Sequence, residues 1–257
     1  MRGNSNCTIL TNYSFASPSA TALHNLSLVV KPGQKVGLCG RTGRLVLQKQ
    51  TPSEDYHITY AKTSGKSSLV ATLLRLLEID SGTITIDGLD LATMPREIIR
   101  QRIVTLPQDP LILVGTVRLN ADPRGLATDE AIIAALKDVG LWTTLEDRGG
   151  LDMEITASAL SKGQQQLFAL ARALLQKSKI MLLDEPTSNI DPETDAMIQR
   201  LLKEKCAGCT VITVAHRMDT IMGSDMIVVL DAGKVMEVGT PAELLERDQM
   251  FAKLVKG

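Results

Sequence analysis

Aromatic residues make up only 3% of this 257-residue chain: three Phe, three Tyr and one Trp. So few rings cannot line a groove, which excludes the usual stacking platform for single-stranded nucleic acid. Charge of one sign is lacking too. Lysine and arginine number 28 against 29 acids, a net of −1, so no overall field draws nucleic acid or anionic lipid, and no nucleic-acid partner is expected. Apolar runs are short. None reaches the roughly eighteen residues that a membrane helix needs, and the start, MRGNSNCTIL, has no apolar stretch of the kind a signal peptide carries. Cysteine is scarce. Cys7, Cys39, Cys206 and Cys209 are too few for a disulfide scaffold, and the lone C-x-x-C of Cys206 and Cys209 lacks the second pair of a zinc site. A cytosolic compartment is expected.

What is present is an ordinary globular composition, 44% hydrophobic and 22% charged, long enough for one large α/β domain or two small ones. LHNLSLVV (23–30) and KVGLCG (35–40) read as strands around the turn Lys31-Pro32-Gly33-Gln34. A helix is expected from Ser67 to Leu77, a strand at TITIDG (83–88), a short helix at 94–102 and a strand at IVTLPQ (103–108). Asp129–Val139 reads as a helix capped by Thr128, and Gln164–Leu175 as another. KIMLLDE (179–185) is a continuous apolar run ending in two carboxylates, the pattern of a central parallel strand whose tip faces a ligand. A helix over 191–205 leads to a second buried strand, TVITVAH (210–216). A hairpin closes around Asp231-Ala232-Gly233, and the tail from Pro241 reads as one C-terminal helix. Trp142 is expected in core or interface packing.

Gly40-Arg41-Thr42-Gly43 comes straight off a strand, and Ser64-Gly65-Lys66-Ser67-Ser68 opens a helix. A phosphate-binding P-loop needs G-x-x-x-x-G-K-[ST] unbroken, because its successive backbone N–H groups cup a phosphate that the lysine neutralises. Both halves are complete here, but residues 44–63 (RLVLQKQTPSEDYHITYAKT) stand between them. Removing that stretch leaves GRTGSGKSS, a full P-loop. The insert has no clear period, and it reads as a retained intron, its alternative being a surface loop.

Asp184-Glu185 at the end of an apolar strand fits a magnesium-binding aspartate followed by a glutamate that activates water. Leu160-Ser161-Lys162-Gly163-Gln164 precedes a long helix. Ser161 suits an N-cap, or a phosphate held by serine, glycine amides and the positive helix end. Gln108 alone would be a turn residue, and His216, ending a buried strand, a structural histidine or a sensor of a γ-phosphate.

Taken together and in this order, these motifs resemble the nucleotide-binding domain of an ABC transporter over almost the full chain. GRTG…SGKSS resembles a split Walker A motif, LPQDP (106–110) the Q-loop and LSKGQ (160–164) the signature. MLLDE (181–185) resembles Walker B, SNID (188–191) the D-loop and His216 the switch histidine. Within the family, IDSGTITIDGLD, LILVGTVRLNADP and QQQLFALARALL resemble the second, C-terminal domain of fungal subfamily C (multidrug-resistance-associated) transporters.

The resemblance implies an α/β P-loop NTPase fold of the ABC ATPase type. It would have a mixed sheet core, an antiparallel β portion and a helical signature part at about 110–178, in a single nucleotide-binding domain. It implies ATP and Mg2+ as cofactors. Gly40, Thr42, Gly43, Ser64, Gly65, Lys66, Ser67 and Ser68 would hold phosphate, and Ser67, Gln108 and Asp184 the magnesium. Glu185, Gln108 and His216 would be catalytic. Phe15 would stand in for the adenine-stacking tyrosine. Ser161, Gly163, Gln164 and Asp191 would serve the nucleotide of a second such domain packed head to tail. A transmembrane domain, absent from this chain, is the other implied partner. The resemblance thus points to ATP hydrolysis driving export at the cytoplasmic face of a membrane. A non-hydrolysing relic and a soluble ABC ATPase are the alternatives. Three departures stand out: Lys162 in the signature, Asn189-Ile190 in the D-loop, and the lost tyrosine at Phe15.

Overall fold

The structure, a computed structural model, describes residues 11–17, 20–40, 65–185, 190–215 and 217–256, with residues 11–17 and 20–22 described by their backbone alone. The chain begins with β1 (Thr11–Ser17), β2 (Ala20–Leu26), β3 (Lys35–Cys39) and α1 (Lys66–Leu73). Short strands β4 (Ser81–Thr83), β5 (Thr85–Ile86) and β6 (Leu89–Asp90) lead to α2 (Arg96–Arg102) and β7 (Ile103–Leu106). Next come β8 (Gly115–Thr116), α3 (Val117–Ala121), α4 (Asp129–Asp138), α5 (Trp142–Glu146), β9 (Glu154–Ile155) and α6 (Lys162–Leu175). Strand β10 (Ile180–Asp184), α7 (Pro192–Lys205), β11 (Thr210–Val214), β12 (Met226–Asp231), β13 (Lys234–Gly239), α8 (Pro241–Glu246) and α9 (Met250–Lys256) complete it.

Two compact units divide the chain, residues 1–99 with 212–257, and residues 100–211. The residues expected to form a helical part, 110–178, fall within the second. In the first unit, β3 is a buried apolar run paired in parallel with β12, Leu38 opposite Val228 and Cys39 opposite Val229. Strands β12 and β13 pair antiparallel through a two-residue turn in which Ala232 (φ 46°) and Gly233 (φ 75°) both take the positive φ that a type I′ turn requires. Cys39, Ile227, Val229, Leu244 and Phe251 form the core beside them. A separate antiparallel sheet has the order β2-β1-β4.

In the second unit, β10 pairs in parallel with β7, Leu183 opposite Leu106. Its first four residues are buried, as a strand covered on both faces demands. Trp142, Phe168, Leu170 and Leu183 share one core with α4, α6 and α7 residues. Full burial of each such side chain contributes about 1.5–3 kcal/mol.

Four expectations need correction. The strand expected over 83–88 is broken at Ile84, with β4 pairing in one sheet and β5 in another. The strand expected over 23–30 ends at Leu26, where Asn25 already turns to φ 44°. The first helix stops at Leu73, and Arg75 takes φ 50°. The tail is two helices. Asp248 (φ 48°) breaks the run after α8, and Glu237 of β13 accepts from the N–H groups of Met250 (2.5 Å) and Phe251 (3.3 Å) to start α9 afresh.

Candidate functional site

The first unit places Gly40 directly after β3, with φ 152°. A Cβ there would lie 1.8 Å from the Leu230 carbonyl oxygen, so only glycine fits against β12. Gly65 caps α1 in the left-handed conformation (φ 91°) and, having no side chain, makes no side-chain cap bond. No acidic residue stands in the first turn, so no carboxylate of its own helix opposes an anion at this positive end. Lys66 opens α1, is buried, and donates from Nζ to the Gly40 carbonyl oxygen at 3.1 Å. The two sequence halves thus meet at Gly40 and Lys66. Ser67 is exposed and Ser68 half-buried; the Ser68 carbonyl accepts from Thr72 Oγ1.

Beside them, burial pushes the Cys39 thiol up to about 12; the Lys66 charge opposes this and the Glu237 charge adds to it. Thr42, Gly43, Ser64 and His216 lie outside the described residues. So does the side chain of Phe15, whose backbone sits in β1 opposite Leu23.

The second unit carries the other expected residues. Asp184 ends β10 and Glu185 follows it at φ 44°, both half-buried. A non-glycine residue in the left-handed region costs about 1–2 kcal/mol, strain of the kind that collects at functional positions.

Gln108 is exposed, in the segment after β7. Its backbone is held by α6: Gln166 Nε2 donates to the carbonyl oxygens of Pro107 (2.9 Å) and Gln108 (2.8 Å). Farther along α6, Arg172 donates from Nε to the Asn120 carbonyl oxygen (2.8 Å) and from its guanidinium to that of Leu111. Burial lowers the Arg172 pKa.

Ser161 is the N-cap of α6 in a complete capping box. Its Oγ accepts from Gln164 N (3.2 Å), and Gln164 Oε1 accepts from Ser161 N (2.9 Å). The Gln164 side chain is therefore spent on its own helix end. Asp191 likewise caps α7, accepting from Thr194 N (2.9 Å) and Thr194 Oγ1 (2.8 Å), bonds that hold its carboxyl below the usual range. Gly163 brings these two helix starts together. A Cβ at Gly163 would lie 3.1 Å from Thr194 Oγ1 and 3.4 Å from Asp191 Oδ2. Lys162, the departure in the signature, forms an ion pair with Asp109 at 3.4 Å.

Sequence reasoning missed Gln166, Arg172 and the partner of Lys162. The glutamine run after the signature is visible in the sequence, but the carbonyls it reaches lie more than fifty positions upstream. No described helix is long and apolar enough to cross a membrane.

A profile of the ABC transporter family matches residues 53–188. "ABC multidrug transporter B" of Aspergillus fumigatus is 46% identical over 234 residues, covering 91% of this chain and 15% of that protein. "Multidrug resistance protein fer6" of Mycosarcoma maydis is 42% identical, covering 91% of this chain and 16% of that protein. The chain thus spans about one seventh of the length of these relatives. A solved structure, a bacterial Atm1-family ABC exporter with ATP bound, superimposes with a TM-score of 0.84 at 29% identity, over 99% of this chain and 42% of that one. Phosphate-loop flanks, an Asp-Glu strand end and a capped signature helix in one order agree with these matches: the chain belongs to the ABC transporter family and has the ABC ATPase fold.

Proposed function

We propose that this domain binds ATP with magnesium and hydrolyses it to power export, as the nucleotide-binding part of a fungal subfamily C transporter. The observation that carries the reading is the Lys66 Nζ bond to the Gly40 carbonyl oxygen, which keeps the phosphate lysine at the strand end despite the inserted residues. The donor set suits a nucleotide. Lys66 supplies charge, the α1 N-terminal amides supply N–H donors, and Ser67 supplies a hydroxyl.

In this reading Lys66, with Gly40, Thr42, Gly43, Ser64, Gly65 and Ser68, holds the phosphates, and Ser67, Gln108 and Asp184 hold magnesium. Bound magnesium supplies positive charge against the charge that develops on the transferred phosphoryl group. Gln108 orients the attacking water, Glu185 accepts its proton at a carboxylate oxygen, and His216 steadies the terminal phosphate. Phe15 takes the place of the adenine-stacking ring. Ser161, Gly163, Gln164 and Asp191 act toward the nucleotide of a second domain packed head to tail.

The membrane domain is the second partner, which would place this domain at the cytoplasmic face of a membrane. Leu111 (65% exposed) and Val114 (82%), with Leu119 close in sequence (42%), follow Gln108 in the chain. Exposed side chains of this size in one short segment suit a partner protein.

The second reading, a degenerate non-hydrolysing domain, is favoured by residues 44–63 alone. Titration of Mg-ATP into the full chain and into a variant lacking residues 44–63 separates the two. Binding in both supports a working site, and binding only in the shortened variant shows that the insert breaks it. Failure of both sinks the ATPase reading for this chain. In whichever form turns over, Glu185→Gln should abolish hydrolysis and preserve binding; undiminished turnover would remove Glu185 from its role.

A further inference from the structure

Gln166 and Lys162 stand one turn apart on α6 and reach the same short segment, the one that carries Gln108. Gln166 is 3% exposed, and both of its bonds end on backbone carbonyls, those of residues 107 and 108. They fix the path of the chain that carries the exposed Gln108 side chain. Lys162 pairs with Asp109, the next residue along.

The grip on two carbonyls also sets the orientation of the Gln166 amide, and Oε1 is left buried without a hydrogen-bond partner among the described residues. A buried unpaired acceptor costs about 1–3 kcal/mol. A leucine of similar size would avoid that cost, so what offsets it here is the hold on residues 107 and 108.

We propose that Gln166 is a positioning residue for Gln108, with the Lys162–Asp109 pair as the second point of attachment. The first two turns of α6, capped by Ser161, and residues 107–109 then move as one piece. The placement of Gln108 is set from the signature end of the helix, and Lys162 gains a task that a glycine at that position could not perform. The inference rests on the reading of Gln108 given above.

Hydrogen exchange of the amides at 108–113, followed by mass spectrometry on the full chain, tests it without requiring turnover. Gln166→Leu should raise exchange there roughly 5- to 150-fold, the range that loss of buried hydrogen bonds supports. Lys162→Ala should raise it about two- to fivefold at low salt, with the difference fading at high salt. Lys162→Arg, and the swap of Lys162→Asp with Asp109→Lys, should return exchange to the starting value. If Gln166→Leu fails to fold, the Lys162 series decides.

Unchanged exchange in Gln166→Leu and Lys162→Ala would overturn the proposal. So would a rise that spreads equally through β10, or one that the swap does not reverse. In a form that turns over ATP, Lys162→Ala should lower kcat with KM little changed, and Lys162→Arg should restore it; an unchanged kcat would overturn the positioning role. A Gln108→Ala variant with full turnover would instead remove the role read for Gln108 and leave the exchange result standing.

Discussion

Lys66 and Gly40 lie twenty-six positions apart in the chain, yet Lys66 Nζ donates to the Gly40 carbonyl oxygen across 3.1 Å. The lysine is 4% exposed, so a charged donor is held out of water at the end of a buried strand. Such a group needs partners to stay there; the Gly40 carbonyl oxygen is one, and nucleotide phosphates are the others in the function proposed above.

Lys66→Ala, in a form that binds Mg-ATP, should therefore weaken affinity about 10- to 150-fold, the value of a charged hydrogen bond. Titration calorimetry reads this directly. Unchanged affinity would mean that Lys66 is structural only.

Gly40 and Gly33 offer a matched comparison. Both have positive φ, 152° and 77°, but a Cβ at Gly40 would strike the Leu230 carbonyl oxygen while one at Gly33 would meet nothing within 4 Å among the described residues. Gly33→Ala should cost about 1 kcal/mol. Gly40→Ala should cost well beyond that, about 4 kcal/mol or more, or prevent folding. Thermal melts that rank the two variants alike would contradict the packing described for β12.

The Asp191 carboxyl is held low by the Thr194 backbone bond first and the Thr194 hydroxyl second. A depressed folded-state pKa stabilises above the unfolded value, 3.8, and that contribution disappears as pH falls through the lower folded value. Asn also caps helices, so Asp191→Asn isolates the charge. The variant should melt below wild type at pH 7, and the gap should close as pH drops under about 3.8. A gap constant from pH 7 to pH 2 would show that the charge contributes nothing.

Cys39 should resist alkylation. Its thiol is fully buried and pushed up to about 12, chiefly by that burial, so almost no thiolate exists at pH 8. Iodoacetamide followed by peptide mapping should leave Cys39 unmodified in the native protein and modify it in urea. Equal labelling in both would place the β3 end in contact with solvent.

Local signals were legible in the sequence, and long-range ones were not. Strand β10 announces itself because four apolar residues precede two acids, and Ser161 and Thr128 announce the helices they cap. The break between α8 and α9 could not be foreseen. The cap that starts α9 comes from Glu237 on β13, outside the helical pattern it interrupts. The Lys162 partner was hidden for the same reason, since Asp109 lies fifty-three positions away. The phosphate-loop halves survived interruption as a readable signal because each is specified by its own neighbours: Gly40 by β12, Gly65 by the start of α1.

The same independence governs how the chain bears residues 44–63. Gly40 and Lys66 are pinned to each other, so anything between them has fixed ends. Making the connection from Gly40 to Gly65 about six times longer adds only ~1.6 kcal/mol of closure entropy, because that cost grows with the logarithm of length. Stability is thus a poor guardian of this motif. A closure cost of that size lowers the folded-to-unfolded ratio about fifteenfold, which a stable domain survives, so folding alone does not require the unbroken motif, whereas a demand for turnover does.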